Sequence, residues 1–456
     1  MIVTILLGLA GLGLVVLVHE LGHFVAAKAV GVEVETFSIG WGPRIAGFTR
    51  KGTDWRFSAF PIGGYCKMKG EDAFRKALEE KTETIPRDSG SFYGASPFRR
   101  SIIALAGPLA NVAFALFVFI IVATVGYTVP TNPNRIVLAN EFSLDGEPVP
   151  SNLPAASGGL RSGDRIIAAN GKRIRDYADL QETIALSAKK ILRFEVERDG
   201  VPLRIELTAA LDKDSGAGRI GIYSWIEPDI EKVTPGSASD IAGLRSGDRL
   251  LSVDGKPIRH AIEALSFFAD APERISLGYL RGDQVLESRL VLTWAENGQS
   301  NLGLTFRSQP HTVRSDSFFT AIGDGARKTV ETFVISIKGI GLLFSGVNVL
   351  KAVSGPARIT WMVGRTASEG MASGGIAGIV IAVEFLAFLS IGLFIMNLLP
   401  IPALDGGMII LFIIEATRRR PLKTTTIYRF QFIGAAFIFA LFILSTVSDF
   451  IFFSSK

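Results

Sequence analysis

Ile2-Val3-Thr4-Ile5-Leu6-Leu7-Gly8-Leu9-Ala10, Gly11-Leu12-Gly13-Leu14-Val15-Val16-Leu17-Val18 and then His19-Glu20-Leu21-Gly22-His23 is the stretch on which the fold turns. An uncharged apolar run this long matches the roughly 20 helical residues that a bilayer requires. The His-Glu-Leu-Gly-His pattern that ends it places two imidazoles four residues apart, on one helical face, where both can reach one zinc ion. Glu20 then sits beside the open position of that metal. Ionisable residues are costly at membrane depth and mark function there, whereas simple snorkelling to the interface does not require this spacing. The N-terminus resembles a signal peptide in its apolarity, but it lacks a basic leader and runs into His19 and Glu20 instead of a small-residue cleavage site, so it reads as a retained span.

Three further stretches reach spanning length: Ser101 to Val129, Gly374 to Leu399 and Ile427 to Val447. A mean hydropathy of +0.35 over 456 residues agrees with several membrane segments. A net charge of +5, with no long basic run carrying interleaved aromatics, argues against nucleic-acid binding. The single cysteine, Cys66, rules out an internal disulfide framework and a cysteine-rich zinc site, and reads as an inert small hydrophobe. Any metal must therefore use histidine and carboxylate.

Between the second and third spans lies a polar block that repeats itself. Gly159-Leu-Arg-Ser-Gly-Asp-Arg-Ile-Ile followed by Asn170-Gly-Lys returns as Gly243-Leu-Arg-Ser-Gly-Asp-Arg-Leu-Leu followed by Asp254-Gly-Lys. Each copy predicts a turn, a short apolar strand, an Asn-Gly or Asp-Gly hairpin and a second strand. The expected class is an α-helical polytopic membrane protein with four transmembrane helices and two inserted β-rich modules. The expected divisions are 1–130, a membrane part with the zinc helix; 131–222 and 223–310, the two modules; 311–370, an amphipathic interfacial segment; and 371–456, a second membrane part. Lys28, Arg44, Arg50, Lys51, Arg99 and Arg100 lie between the first two spans, and Arg418, Arg419, Arg420 and Lys423 between the last two. By the positive-inside tendency both basic loops face the cytoplasm, and the repeat block faces outward. Phe333 to Val349 is apolar but holds Lys338 and several glycines, which favours an amphipathic segment.

A catalytic zinc takes three protein ligands and one open position. His260 and His311 lie in the outer block, too far along the topology to reach His19. The better third ligand is Asp405, in Asn397-Leu-Leu-Pro400-Ile-Pro402-Ala-Leu404-Asp405-Gly406-Gly407, where two prolines break the span and two glycines let backbone approach the metal. Asp405 as a plain helix N-cap is the competing reading. Topology supports ligation only if Phe333 to Val349 does not cross the bilayer, since His19 and Asp405 must share a face. Asn397 is either a polar clasp between helices or a donor to the reacting carbonyl oxygen. Glu384, alone in the third span, reads as bundle-facing without a role, and Ala106-Gly107-Pro108-Leu109-Ala110-Asn111 as a small-residue packing face.

At His19 to His23, at Asn397 to Gly407 with its Leu-Asp-Gly ending, at Gly107-Pro108-Leu-Ala-Asn111 and at Pro61-Ile-Gly-Gly-Tyr65, the chain resembles the site-2 proteases, intramembrane zinc metalloproteases, in their regulator of sigma-E protease type. The resemblance implies four spans, tandem PDZ domains in the periplasm of a bacterial inner membrane, and single-span membrane proteins as substrates. It also implies that Trp55 to Met68 forms strands dipping towards the membrane near the active site, with an edge for extended substrate. Zinc would be held by His19, His23 and Asp405, with Glu20 as proton acceptor. Two rivals are a membrane-anchored binding scaffold and an ion transporter. Glu20 is superfluous in the first, and the second predicts ionisable residues spread over several spans.

Overall fold

The computed structural model describes residues 2–142, 152–295, 300–342, 348, 350, 353–372 and 376–454. The chain divides into two compact units. Of the described residues, those within Met1–Tyr127, Val313–Leu343 and Asn348–Lys456 form one, and those within Thr128–Thr312 the other.

The first unit begins with α1 (Ile2–Ala29), followed by a bent hairpin of β1 (Val34–Arg50) and β2 (Thr53–Met68) and by the short α2 (Glu71–Glu79). Then comes α3 (Pro97–Val125), whose Ser96 accepts a cap from the Arg99 backbone N–H. Among the described residues, four helices are long and apolar enough to cross a membrane: Ile2–Ala29, Pro97–Val125, Gly378–Leu398 and Thr424–Ser454. The second of these starts earlier than its apolar stretch suggests. Arg100, placed by its charge in a basic loop, lies inside α3 with only 2% of its surface exposed.

The hairpin folds back on itself. Thr36 to Ile39 pair on one side with Gly64 to Lys67 and on the other with Asp54 to Phe57, which in turn pair with Ala46 to Thr49. This makes four rows from two strands, with Gly64–Met68 as one outer row. Its underside is aromatic: Phe24 of α1 packs edge-on against Phe37 and Trp55 at 5.4 and 4.8 Å between ring centres. Cys66 is half-buried in this row, and burial pushes its thiol up to about 12, so it stays protonated and inert.

In the second unit the duplication seen in sequence extends to single hydrogen bonds. Entry and exit are joined by β3 (Tyr127–Thr131) pairing with β18 (Gln309–Val313). The first copy runs β4 (Ile136–Leu138), α4 (Pro154–Ser157), β5 (Arg165–Ala169), β6 (Lys172–Arg173), α5 (Tyr177–Ala185), β7 (Ile191–Arg198), β8 (Val201–Thr208), β9 (Ala210–Leu211), β10 (Gly218–Arg219) and β11 (Ile222–Ser224). The second runs β12 (Ile230–Val233), α6 (Ala238–Ile241), β13 (Arg249–Val253), β14 (Lys256–Pro257), α7 (Ala261–Ser266), β15 (Arg274–Arg281), β16 (Gln284–Val291) and β17 (Leu304–Phe306). Their sheets have matching orders, β6-β5-β7-β8 and β14-β13-β15-β16. Asn170-Gly171 and Asp254-Gly255 both have positive φ, at 51° and 79° and at 48° and 73°, as a tight hairpin turn demands. The repeated Gly-Asp carries buried carboxylates. Arg198 Nε donates to Asp164 at 2.7 Å and Arg281 Nε to Asp248 at 2.8 Å, and each arginine also donates to the carbonyl of its own module's Gly159 or Gly243 at 2.7 Å.

The two copies are joined by an apolar cluster of Val137, Trp225 and Ile262, with Phe142, Tyr223, Ile226 and Leu265 around it. His260 is fully buried beside it, its ring edge-on to Trp225 at 4.5 Å and to Phe142 at 5.3 Å, while Nδ1 accepts from the Glu263 backbone N–H and caps α7. Burial pushes its pKa down to about 4, whereas the unfolded chain has the ordinary value of about 6.5. The unfolded state therefore takes up this proton first, and stability present above about pH 6.5 is lost as pH falls towards 4. Hydrogen exchange of the Ala261–Ser266 segment, corrected for intrinsic rate, should accelerate between pH 7 and pH 5. It should do so much less in His260→Asn, which keeps a capping side chain; equal acceleration in both would assign the effect elsewhere.

Back in the first unit, α8 (Phe318–Leu342), α9 (Pro356–Ala372), α10 (Ile376–Leu398), α11 (Asp405–Arg418) and α12 (Thr424–Ser454) complete the chain. The segment expected to be interfacial contains two helices that lie against spans. On α8, Gly325 meets Ile120 of α3 and Phe333 meets Phe394 of α10. On α9, Gly364 meets the Thr4 carbonyl of α1 so closely that a Cβ there would collide with it. Residues 343–347 and 349, part of the Phe333 to Val349 stretch, lie outside the described residues, as does Gly374, the expected start of the third span.

Candidate metal centre

α1, α3 and the loop between α10 and α11 build the site. Gly22 and Gly107 let α1 and α3 touch: a Cβ on Gly22 would strike the Ala106 carbonyl, and one on Gly107 would lie 2.4 Å from the His23 ring. The small-residue stretch of α3 is thus the wall behind a ligand as well as a packing face. His19 and His23 are buried at 7% and 9% exposure, as their spacing on one face requires.

Asp405 is delivered by a sharp return of the chain. Past Leu398 the backbone turns through Ile401 and Leu404, with Ala403 at φ 74°, and α11 begins at Asp405. Gly406 and Gly407 lie so close to the carbonyls of Leu398 and Ile401 that any side chain would collide with them. These glycines serve the chain reversal. The cap position belongs to Leu404, which makes no side-chain cap, so Asp405 is the first helical residue and not the N-cap that one reading assigned to it. Its carboxylate turns to the histidines, with Oδ2 at 3.2 Å from His19 Nε2 and Oδ1 at 3.6 Å from His23 Nε2. The two Nε2 atoms are 3.1 Å apart.

His19, His23 and Asp405 are the group among the described residues whose donor atoms gather tightly enough, within 4.8 Å of one another, to hold a metal. The donor set fits zinc. Ligand atoms about 2.0–2.1 Å from a tetrahedral ion stand about 3.3 Å apart, close to the separations of 3.1 and 3.2 Å here. Asp405 Oδ2 is buried with no hydrogen-bond donor aligned on it, as suits an oxygen facing a cation. His23 Nδ1 donates to the Ile103 carbonyl at 2.8 Å, so Nε2 is the free nitrogen.

Glu20 turns to the hairpin. Its Cγ lies 3.9 Å from the position a Cβ on Gly64 would take, and the backbone amide of Cys66 faces its carboxylate. Asn397 sits half-buried in the last turn of α10, and its side chain makes no hydrogen bond among the described residues. Glu384 accepts from the Tyr127 hydroxyl at 3.1 Å, a partner that sequence reasoning did not supply. His260 and His311 lie in the other unit. Asn111 was also missed: its amide is 3.1 Å from His19 Nδ1. A polar Asn inside an apolar span marks the position but not the role.

Two imidazoles, a carboxylate and a free glutamate at one end of an apolar helix are the equipment of a membrane metallopeptidase. The sequence model of Peptidase family M50 matches residues 7–441, and the chain belongs to that family. A Treponema pallidum protein described as "Putative zinc metalloprotease" is 37% identical over 450 residues, 98% of each chain. The regulator of sigma-E protease RseP of Escherichia coli is 29% identical over 431 residues, 91% of each, and that of Salmonella typhimurium is 30% identical over 435 residues, 90% of each. The resemblance to the site-2 proteases therefore holds over nearly the whole length, and the protein is a metalloprotease. Among solved structures, the PDZ domain of an SdrC-like protein from Listeria monocytogenes overlaps 18% of this chain and 90% of its own at 17% identity, with a TM-score of 0.17, too slight to carry an argument.

Proposed function

We propose that this protein cuts single-span membrane proteins within or beside their transmembrane segments, in a bacterial inner membrane, with its active site near the cytoplasmic face. The observation that carries this is the convergence of His19, His23 and Asp405 at the end of an apolar helix, with Glu20 turned to an open strand edge. His19, His23 and Asp405 would hold zinc, which when bound supplies the Lewis acidity that lets water attack near neutral pH. Glu20 takes a proton from that water and returns it to the departing amine. Gly64–Met68 pairs with β1 on one side, and its other edge has no strand partner among the described residues. An extended substrate added there would have its peptide bond unwound from a helix and open to attack. Asn397, without another hydrogen bond among the described residues, donates to the carbonyl oxygen as charge builds on it.

With four crossings, the positive-inside tendency would put Thr128–Thr312 outside and the Arg418–Lys423 loop inside. The two modules, read as PDZ-like, contribute no described residue to the site, and as bulk tethered to the spans they would exclude substrates that keep a large outer domain. The test uses the purified full chain and a single-span reporter whose outer domain has been trimmed. Two fragments should appear, a zinc chelator should stop their formation, and added zinc should restore it. A zinc-loaded protein that leaves such reporters intact sinks the reading.

A further inference from the structure

The two histidines are held at the same atom by different means. His23 Nδ1 faces the Ile103 carbonyl, an acceptor only, so a neutral imidazole there must carry its hydrogen on Nδ1 and leave Nε2 bare. His19 Nδ1 lies 3.1 Å from Asn111, whose amide is placed with Nδ2 towards it. An amide offers either end to a neighbour, because its NH2 and its oxygen are alike in size. With the NH2 towards His19, Nδ1 accepts, the ring hydrogen goes to Nε2 and the nitrogen pointing at His23 and Asp405 loses its lone pair. Asn111 Oδ1 is then buried without a partner, and a turned amide would put its NH2 in that same place, so the lone pair needed on His19 Nε2 is what decides between the two. With the oxygen towards His19, Nδ1–H donates and Nε2 is free to ligate. Asn111 is fully buried, and its backbone carbonyl accepts from the Ser390 hydroxyl at 3.0 Å, which ties α3 to α10.

We infer that Asn111 is a positioning residue of the metal centre: its side-chain oxygen accepts from His19 Nδ1–H and so fixes the ring orientation and tautomer that ligate zinc. It does for His19 what the Ile103 carbonyl does for His23. The inference rests on the reading of His19, His23 and Asp405 as zinc ligands. Partners of this kind change metal affinity by about 10–100-fold when removed.

The measurement is zinc occupancy of the purified full chain over a series of buffered free-zinc concentrations. Asn111→Leu should need about 10–100-fold more free zinc for half occupancy. Asn111→Asp should return close to wild type, because a carboxylate accepts the same N–H. A packing role alone predicts the reverse, since a buried carboxylate is harder to accommodate than leucine. Asn111→Ala, which adds no bulk, gives the same comparison if the leucine variant does not fold. Wild-type affinity in Asn111→Leu or Asn111→Ala, or an Asn111→Asp as weak as Asn111→Leu, overturns the inference. His19→Ala separates the two levels: if it keeps full zinc affinity, the ligand reading has failed, whereas if it loses zinc while Asn111→Leu does not, only the role of Asn111 has.

Discussion

Glu20→Gln should lower cleavage by at least about 10²–10⁴-fold, the worth of a positioned general base, while bound zinc stays at the wild-type level. Glutamine has the size of glutamate and can keep the contact with the hairpin, but its amide cannot accept the water proton. Glu20 stands apart from the three gathered donors, so its loss should leave metal retention alone. Single-turnover cleavage of a trimmed single-span reporter, with zinc measured on the same preparation, checks both halves. Activity within a few-fold of wild type would show that the proton goes elsewhere. Loss of zinc in step with activity would make Glu20 a ligand instead of a base.

What was legible in the sequence follows from how far apart the partners lie along the chain. His19, Glu20 and His23 share one helical turn, so the period of the helix alone places them. Asp405 was legible through the prolines and glycines around it, which announce a broken helix, although the glycines turned out to let the backbone fold against Leu398 and Ile401. The repeat in the second unit was visible because one motif occurs twice, and the Asp164 and Asp248 ion pairs show what the repeated Gly-Asp is for. Asn111 and Arg100 escaped for the opposite reason. Their partners, His19 and Glu415, lie on other helices, and nothing local distinguishes an amide that orients a ligand from one that clasps helices. Arg100 counted towards the basic loop because charge near a span end predicts topology, yet its guanidinium is buried over the Phe412 ring at 4.8 Å.

That buried arginine makes Glu415 the second residue whose loss should be severe. Glu415 lies on α11, the helix that carries Asp405 at its other end, and is 5% exposed. Its Oε1 is 2.9 Å from Arg100, though not aligned as a hydrogen bond, and accepts one from Arg87 at 2.6 Å. Arg87 is half-exposed and can turn to water; Arg100 cannot. Glu415→Ala therefore strands a charge inside the protein, which costs about 3–5 kcal/mol, far above an exposed pair at about 0–1 kcal/mol. The double change Arg100→Met with Glu415→Leu should recover most of that loss, because apolar side chains of similar volume remove the charge and fill the space. Thermal unfolding of the three forms in one detergent decides this. Equal midpoints for Glu415→Ala and the double variant would mean that the cost lies in packing and not in an unpaired charge. If zinc affinity falls with Glu415→Ala and returns with the double variant, the end of α11 far from the metal is what holds Asp405 against His19 and His23.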